Sequence, residues 1–210
     1  MADQGTRGTH GTSTGGDGGG AGPATEAARH ARVVEDTLRD AELSWESPEP
    51  GTWVVTLPGT RKLATTCSLR VGRHTLSVNA FVIRHPDENE AGVHRWLLER
   101  NLRLRGGLSY AVDALGDVYL VGRLPLAVIT PEELDRLLGA VLEAADGAFN
   151  PLLELGYASS IRREYAWRVA RGESTRNLDA FAHLTRPQPQ GAGRCPHPPG
   201  APKPDEPGAP

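Results

Sequence analysis

The chain has 210 residues, a formal net charge of −3 and two cysteines. That charge argues against a nucleic-acid binder, which needs clustered cations to displace phosphate counterions. Two cysteines without a CxxC pattern provide neither a disulfide framework nor a structural zinc site, and they fit a reducing, cytoplasmic compartment.

Residues 1–24 hold nine of the 25 glycines, and residues 185–210 hold nine of the 17 prolines. Neither end has the apolar residues that offset the entropy of ordering, so both read as disordered tails. The N-terminus lacks the apolar segment of a secretory signal, and no run reaches the ~18 apolar residues of a membrane span. Residues 25–184 have the length of one domain with a real core.

TEAARHARVVEDTLRDAEL (25–43) reads as a helix, with Val33, Val34 and Leu38 at helical spacing. SPEPG (47–51) predicts a loop. TWVVTLP (52–58), LATTCSL (63–69) and TLSVNAFVIR (75–84) predict three strands with short connections, an antiparallel meander. HPDENE (85–90) predicts a helix start, with Asp87 as cap and Glu90 completing a capping box, and the helix runs to about Arg105. LSYAVD (108–113) and VYLVGRL (118–124) predict a hairpin. In ITPEELDRLLGAVLEAADGAF (129–149), Thr130 is the cap, Pro131 the first helical residue and Glu133 the partner in a second capping box. Asn150-Pro151 is expected to bend or interrupt that helix, and residues 161–173 and 177–184 predict two more helices. The sum is α+β: a five-stranded antiparallel sheet, meander plus hairpin, with helices packed on it.

LRLRGG (102–107) spells the conjugating tail of ubiquitin. Such a tail must end in a free carboxylate, whereas here the chain runs on into a hairpin that the fold requires. The local reading is a helix end, with Arg103 and Arg105 favouring the negative pole of the dipole and Gly106 or Gly107 supplying a left-handed cap. The helix before it is apolar on two sides. Val93, Trp96, Leu97 and Leu104 face one way; Ala91, Leu98 and Leu102 face the other. One side should meet the sheet, the other either the C-terminal helices or a second copy of the chain.

No motif carries catalysis. There is no GxSxG, Cys67 alternates with core positions, and GTRK (59–62) is too short for a phosphate loop. His74, His85 and His94 match no metal-ligand spacing and read as solvated residues. Arg162, Arg163, Arg168, Arg171 and Arg176 make a basic stretch. Docking on the acidic long helix is favoured over an anionic partner, because aromatic residues are not interleaved for base stacking.

The segment from PDENEAGVHRWLLERNLRLRGG through GDVYLVGRLPL and TPEELDRLLGAVLEAAD resembles bacterial YbjN-family proteins in their actinobacterial form. The resemblance implies a fold similar to type III secretion chaperones, α-β-β-β-α-β-β-α, here extended by C-terminal helices. It implies a small acidic homodimer that binds a protein partner without catalysis, metal or cofactor, or a regulator of signal transduction. Trp96, Leu98, Leu102, Tyr119 and Val121 are the interface candidates. The alternatives are a small-ligand sensor or enzyme with an unrecognised polar pocket, and a nucleic-acid-binding regulator acting through the C-terminal arginines.

Overall fold

The computed structural model describes residues 23–185. The expected tails lie outside the described residues, except that positions 23, 24 and 185 belong to helices. The elements are α1 (Pro23–Asp40), β1 (Ser44–Glu49), β2 (Thr52–Pro58), β3 (Ala64–Val71), β4 (Thr75–Ile83), α2 (Glu90–Asn101), β5 (Leu108–Val112), β6 (Val118–Pro125), α3 (Pro131–Gly156), α4 (Ala158–Arg171) and α5 (Ala182–Thr185). Short 3-10 turns occupy Leu126–Val128 and Arg176–Phe181.

The sheet is antiparallel throughout, in the order β1-β2-β3-β4-β6-β5. It has six strands rather than the five expected. The additional strand, β1, takes its second half, Ser47 to Glu49, from the segment read as a loop. Its sequence SWESPE is polar and mostly exposed, with a proline and a register shift between Glu46 and Glu49. An edge strand tolerates all of these because one side of its backbone faces water.

Period-2 alternation sends Trp53, Val55 and Leu57 of β2, Cys67 and Leu69 of β3, Leu76, Val78, Ala80 and Val82 of β4, and Val118 and Leu120 of β6 to one face, where all are buried. Leu63, expected to extend this row, is 90% exposed in the turn before β3. Val34 and Leu38 of α1, Val93 and Leu97 of α2, and Leu134, Leu138, Val141, Ala145 and Leu152 of α3 close over that face to form one core. The Thr130 hydroxyl accepts from the Glu133 N–H, and Pro131 opens the helix, as expected. The Glu133 carboxylate pairs with Arg136. Pro151 does not interrupt α3, which continues to Gly156. Proline lacks the N–H that would bond the Gly147 carbonyl, and the buried Ala148 and Leu152 on either side keep the helix packed through that gap.

Helix α2 begins at Glu90 and ends at Asn101, so neither end lies where the sequence suggested. Asn89 precedes it in a left-handed conformation without a side-chain cap. LRLRGG is therefore a connector, not a last turn, and both Gly106 (φ 71°) and Gly107 (φ 70°) are left-handed.

A buried carboxylate ties the two layers together. Asp146 of α3 accepts from the backbone N–H groups of Thr60 (2.9 Å), Arg61 (2.8 Å) and Lys62 (2.9 Å), and from the Thr60 hydroxyl (2.8 Å). Burial opposes ionisation of this group, but the hydrogen bonds from Lys62, Thr60 and Arg61 outweigh it and hold its pKa below the ordinary aspartate range. Lys62 then reaches across the sheet to donate to the carbonyls of Phe81 (2.5 Å) and Val82 (3.0 Å). Asp146→Ala removes the charged acceptor of three backbone N–H groups and should cost about 3 kcal/mol in urea unfolding. Because the folded pKa is depressed, the carboxylate stabilises the fold above the unfolded value and loses that contribution as pH falls through the folded one. Asp146→Asn keeps an acceptor at Oδ1, so it should flatten the acid limb of the stability curve with a smaller loss at neutral pH.

Candidate functional site

All helix packing on the sheet described above is on one face. The opposite face carries a row running across every strand, Glu46–Val54–Ser68–Asn79–Val121–Ser109. Beside it lie Phe81, Tyr119 and Ala111, and on the other side Arg70, Ser77 and Arg123. Phe81 and Tyr119 meet edge to face with ring centroids 5.6 Å apart, and the Lys62 ammonium sits 4.9 Å from the Phe81 ring centre. Both aromatic rings and Val121 are half-buried. The face thus has an apolar, aromatic centre within a border of Thr56, Thr66, Asn79, Arg70 and Arg123, all exposed.

Both sheet edges carry features that discourage the addition of another strand. At β5 the Asn101 side chain satisfies both outward groups of Tyr110: the Tyr110 N–H donates to Oδ1 (2.7 Å), and Nδ2 donates to the Tyr110 carbonyl (3.3 Å). At β1 the proline and the register shift break the ladder.

The five interface candidates fall in three places. Tyr119 and Val121 lie on the open sheet face. Leu98 and Leu102 point outward from α2 and its C-cap, 68% and 87% exposed. Trp96 faces inward, half-buried, with its ring 6.1 Å from that of Tyr110 and the Arg100 guanidinium 4.8 Å above it.

The C-terminal helices do not cover Leu98 or Leu102. They pack on the end of α3 around a second small core of Ile161, Leu178 and Phe181. The acidic loop before α2 holds them there. Glu88 accepts from the Ser159 N–H (2.6 Å) and hydroxyl (2.8 Å), and Asp87 accepts from the Ser160 hydroxyl (2.8 Å). Glu88 thus caps α4, not α2, and Asp87 braces the same first turn through a side chain. The Ser159 N–H, together with its hydroxyl, lowers the Glu88 pKa. The Tyr157 hydroxyl donates to the Arg84 carbonyl (2.7 Å), and Gly156 packs so closely on Pro86 that a Cβ there would lie 2.7 Å from the proline ring.

The remaining candidates resolve individually. Cys67 is fully buried, and desolvation pushes its thiol up to about 12, far from a nucleophile's range. Among the described residues no group of three or more His, Cys, Asp or Glu side chains converges on a metal position. The C-terminal arginines do not dock on the acidic flank of α3 as expected. Arg168 pairs with Glu164 (2.6 Å) and lies 3.8 Å from Glu173, Arg162 donates to the Leu184 carbonyl (3.2 Å), and Arg171 stacks on Trp167. Helical i,i+4 neighbours reach each other sooner than a distant helix can. No helix of the described residues is long and apolar enough to cross a membrane.

Residues 30–154 match the model of the YbjN family, which is described as "Putative bacterial sensory transduction regulator". The uncharacterized protein Rv0487 of Mycobacterium tuberculosis is 49% identical over 168 residues, 78% of this chain and 91% of the relative. The uncharacterized protein ML2442 of Mycobacterium leprae is 56% identical over 131 residues, 62% of this chain and 71% of the relative. Among solved structures, a chain of the HopA1–SchA chaperone–effector complex is similar at 17% identity, over 58% of this chain and 93% of that chain, with a TM-score of 0.44.

Because Glu88 caps α4 from a separate loop, Glu88→Ala should loosen the C-terminal helices without unfolding the sheet. Hydrogen exchange should quicken at the first turn of α4, while the core strands keep wild-type protection. Equal acceleration everywhere would mean that the C-terminal helices are integral to the main core.

Proposed function

This chain belongs to the YbjN family, and on that premise we propose that it is a non-enzymatic protein-binding module: a cytoplasmic, chaperone-like adaptor or regulator of signal transduction. The observation that carries this reading is the open sheet face. Among the described residues the six-stranded sheet has its helices on one side only, and the other side has Phe81, Tyr119 and Val121 at the centre of a polar border. An aromatic centre ringed by polar residues is the anatomy of a binding hot spot. With Tyr110 capped at one edge and a proline in the strand at the other, a partner is expected to lie across the face and not to add a strand.

The same reading takes the chain as a homodimer. The exposure of Leu98 and Leu102 supports a joint there, since burying two such side chains on each copy stabilises association. The partner face and the dimer joint are separate surfaces, so single substitutions distinguish them.

Tyr119→Asp with Val121→Asp should leave thermal unfolding within a few degrees of wild type and abolish recovery of the partner that the full chain captures from its host. A partner still captured by the folded double variant would remove the sheet face from consideration. In light scattering, Leu98→Asp should convert a dimer to a monomer. A folded variant that keeps the wild-type mass would put the joint elsewhere.

A further inference from the structure

On the helical side of the sheet, α2 ends at Asn101 and residues 102–107 cross to β5. A cleft of about 500 Å³ opens between this connector, β5 and α3. That volume is within the range of small-ligand sites. Its floor is a flank of small residues on α3, Ala140, Ala144, Gly147 and Ala148, and Trp96 and Tyr110 form a wall. The Tyr110 hydroxyl donates to the Ala144 carbonyl (2.9 Å), which fixes the ring against the helix.

The charged lining is four arginines, Arg61, Arg100, Arg103 and Arg105, against one carboxylate, Glu143. The four come from different places: the β2–β3 turn, the last turn of α2 and the connector. Their convergence stands out in a chain whose net charge is −3. Two are already positioned. The Arg61 N–H is bound by Asp146, with its guanidinium 3.7 Å from that carboxylate, and Arg100 is stacked on Trp96. Arg100, Arg103 and Arg105 have no ion-pair partner among the described residues. Like charges held in a concavity repel one another and focus a positive potential into it, and an anion relieves both.

We infer that this cleft binds a small molecule bearing a diphosphate group. Guanidinium forks match phosphoryl oxygens in pairs. Three guanidinium forks without ion-pair partners, each engaged in a pair of bonds, call for more oxygens than a single phosphate offers without sharing, and a diphosphate supplies them. Nucleoside diphosphates and inorganic pyrophosphate share this chemistry. The site shares neither Tyr119 nor Val121 with the protein-binding face, so each reading stands or falls alone.

The test is calorimetric titration of the full chain with pyrophosphate, ADP, GDP and inorganic phosphate at about 100 mM salt, where exposed charges are screened beyond roughly 10 Å. Saturable one-to-one binding of the diphosphates, weaker for phosphate and weakening with salt, is the expected result. Arg103→Gln with Arg105→Gln, on the exposed connector, should weaken it roughly ten-fold or more. Arg123→Gln on the open sheet face should bind like wild type. Tighter binding of ADP or GDP than of pyrophosphate supports the site with a nucleotide as its source, and equal binding supports it with the diphosphate alone. No saturable binding by any of the four, or undiminished binding by the folded double variant, overturns the proposal.

Discussion

The Asp146 carboxylate is the contact on which the arrangement of the two layers depends. It lies within α3, yet every strong hydrogen bond to it comes from the turn between β2 and β3. Successive backbone N–H groups in such a turn form a concavity that favours an anion. Here the anion is a side chain of the fold itself. The contact leaves no slack: a Cβ on Gly59 would lie 2.2 Å from the Lys62 carbonyl and 2.6 Å from Asp146 Oδ1, so the turn closes only on glycine. From this one turn Lys62 reaches β4, and Arg61 reaches the cleft beside α2. The packing of the layers and the placement of a cleft arginine are thus consequences of the same buried charge.

Most of the layered core was legible because its periods are unambiguous. β2 through β6 alternate cleanly, and α3 combines a cap, a proline at its first position and a continuous apolar stripe. What escaped prediction has physical reasons. β1 is an edge strand, and an edge strand's composition is set by solvent, so it carries little of the alternation that betrays a central strand. The start of α2 was misread because the cap-type Asp87 stands three residues before Glu90, ahead of an apolar run; Asp87 and its neighbour Glu88 instead serve another helix. Their targets are Ser160 and Ser159, some 70 residues onward, and local spacing does not reveal which helix an acidic loop will serve.

The functional surfaces were legible to a lesser degree. The two-sided apolar pattern of α2 put Val93 and Leu97 on one side and Leu98 and Leu102 on the other; the first pair is buried, whereas the second, expected to be covered, is exposed. Trp96, grouped with the inward residues, does face inward, but as the wall of a charged cleft. The run RNLRLRGG displayed Arg100, Arg103 and Arg105 together and invited a helix-end explanation that fails once α2 stops at Asn101. Arg61 lay in GTRK, set aside as too short for a phosphate loop, and nothing in the sequence tied it to α2, because only the Asp146 contact brings it alongside. A search for convergent histidines or carboxylates passes over a site built from guanidinium groups.

The open face and the cleft are the two sides of one strand pair. Tyr119 of β6 stands on the bare face, opposite Ala111 of β5; the next residues, Tyr110 and Leu120, point into the helical layer, and Tyr110 lines the cleft. A sheet passes side-chain movement from face to face poorly, because each residue projects to one side only and the core behind it is close-packed. Occupancy of the cleft is therefore not expected to reshape the face directly. The route open to it is through the connector and α2: Asn101, last residue of α2, holds the backbone of Tyr110, and Leu102, the cap of the same helix, stands on the outward surface. A ligand drawing in Arg103 and Arg105 pulls on the segment that carries Leu102, so the element most exposed to the cleft's charge is the one through which two copies of the chain are proposed to meet.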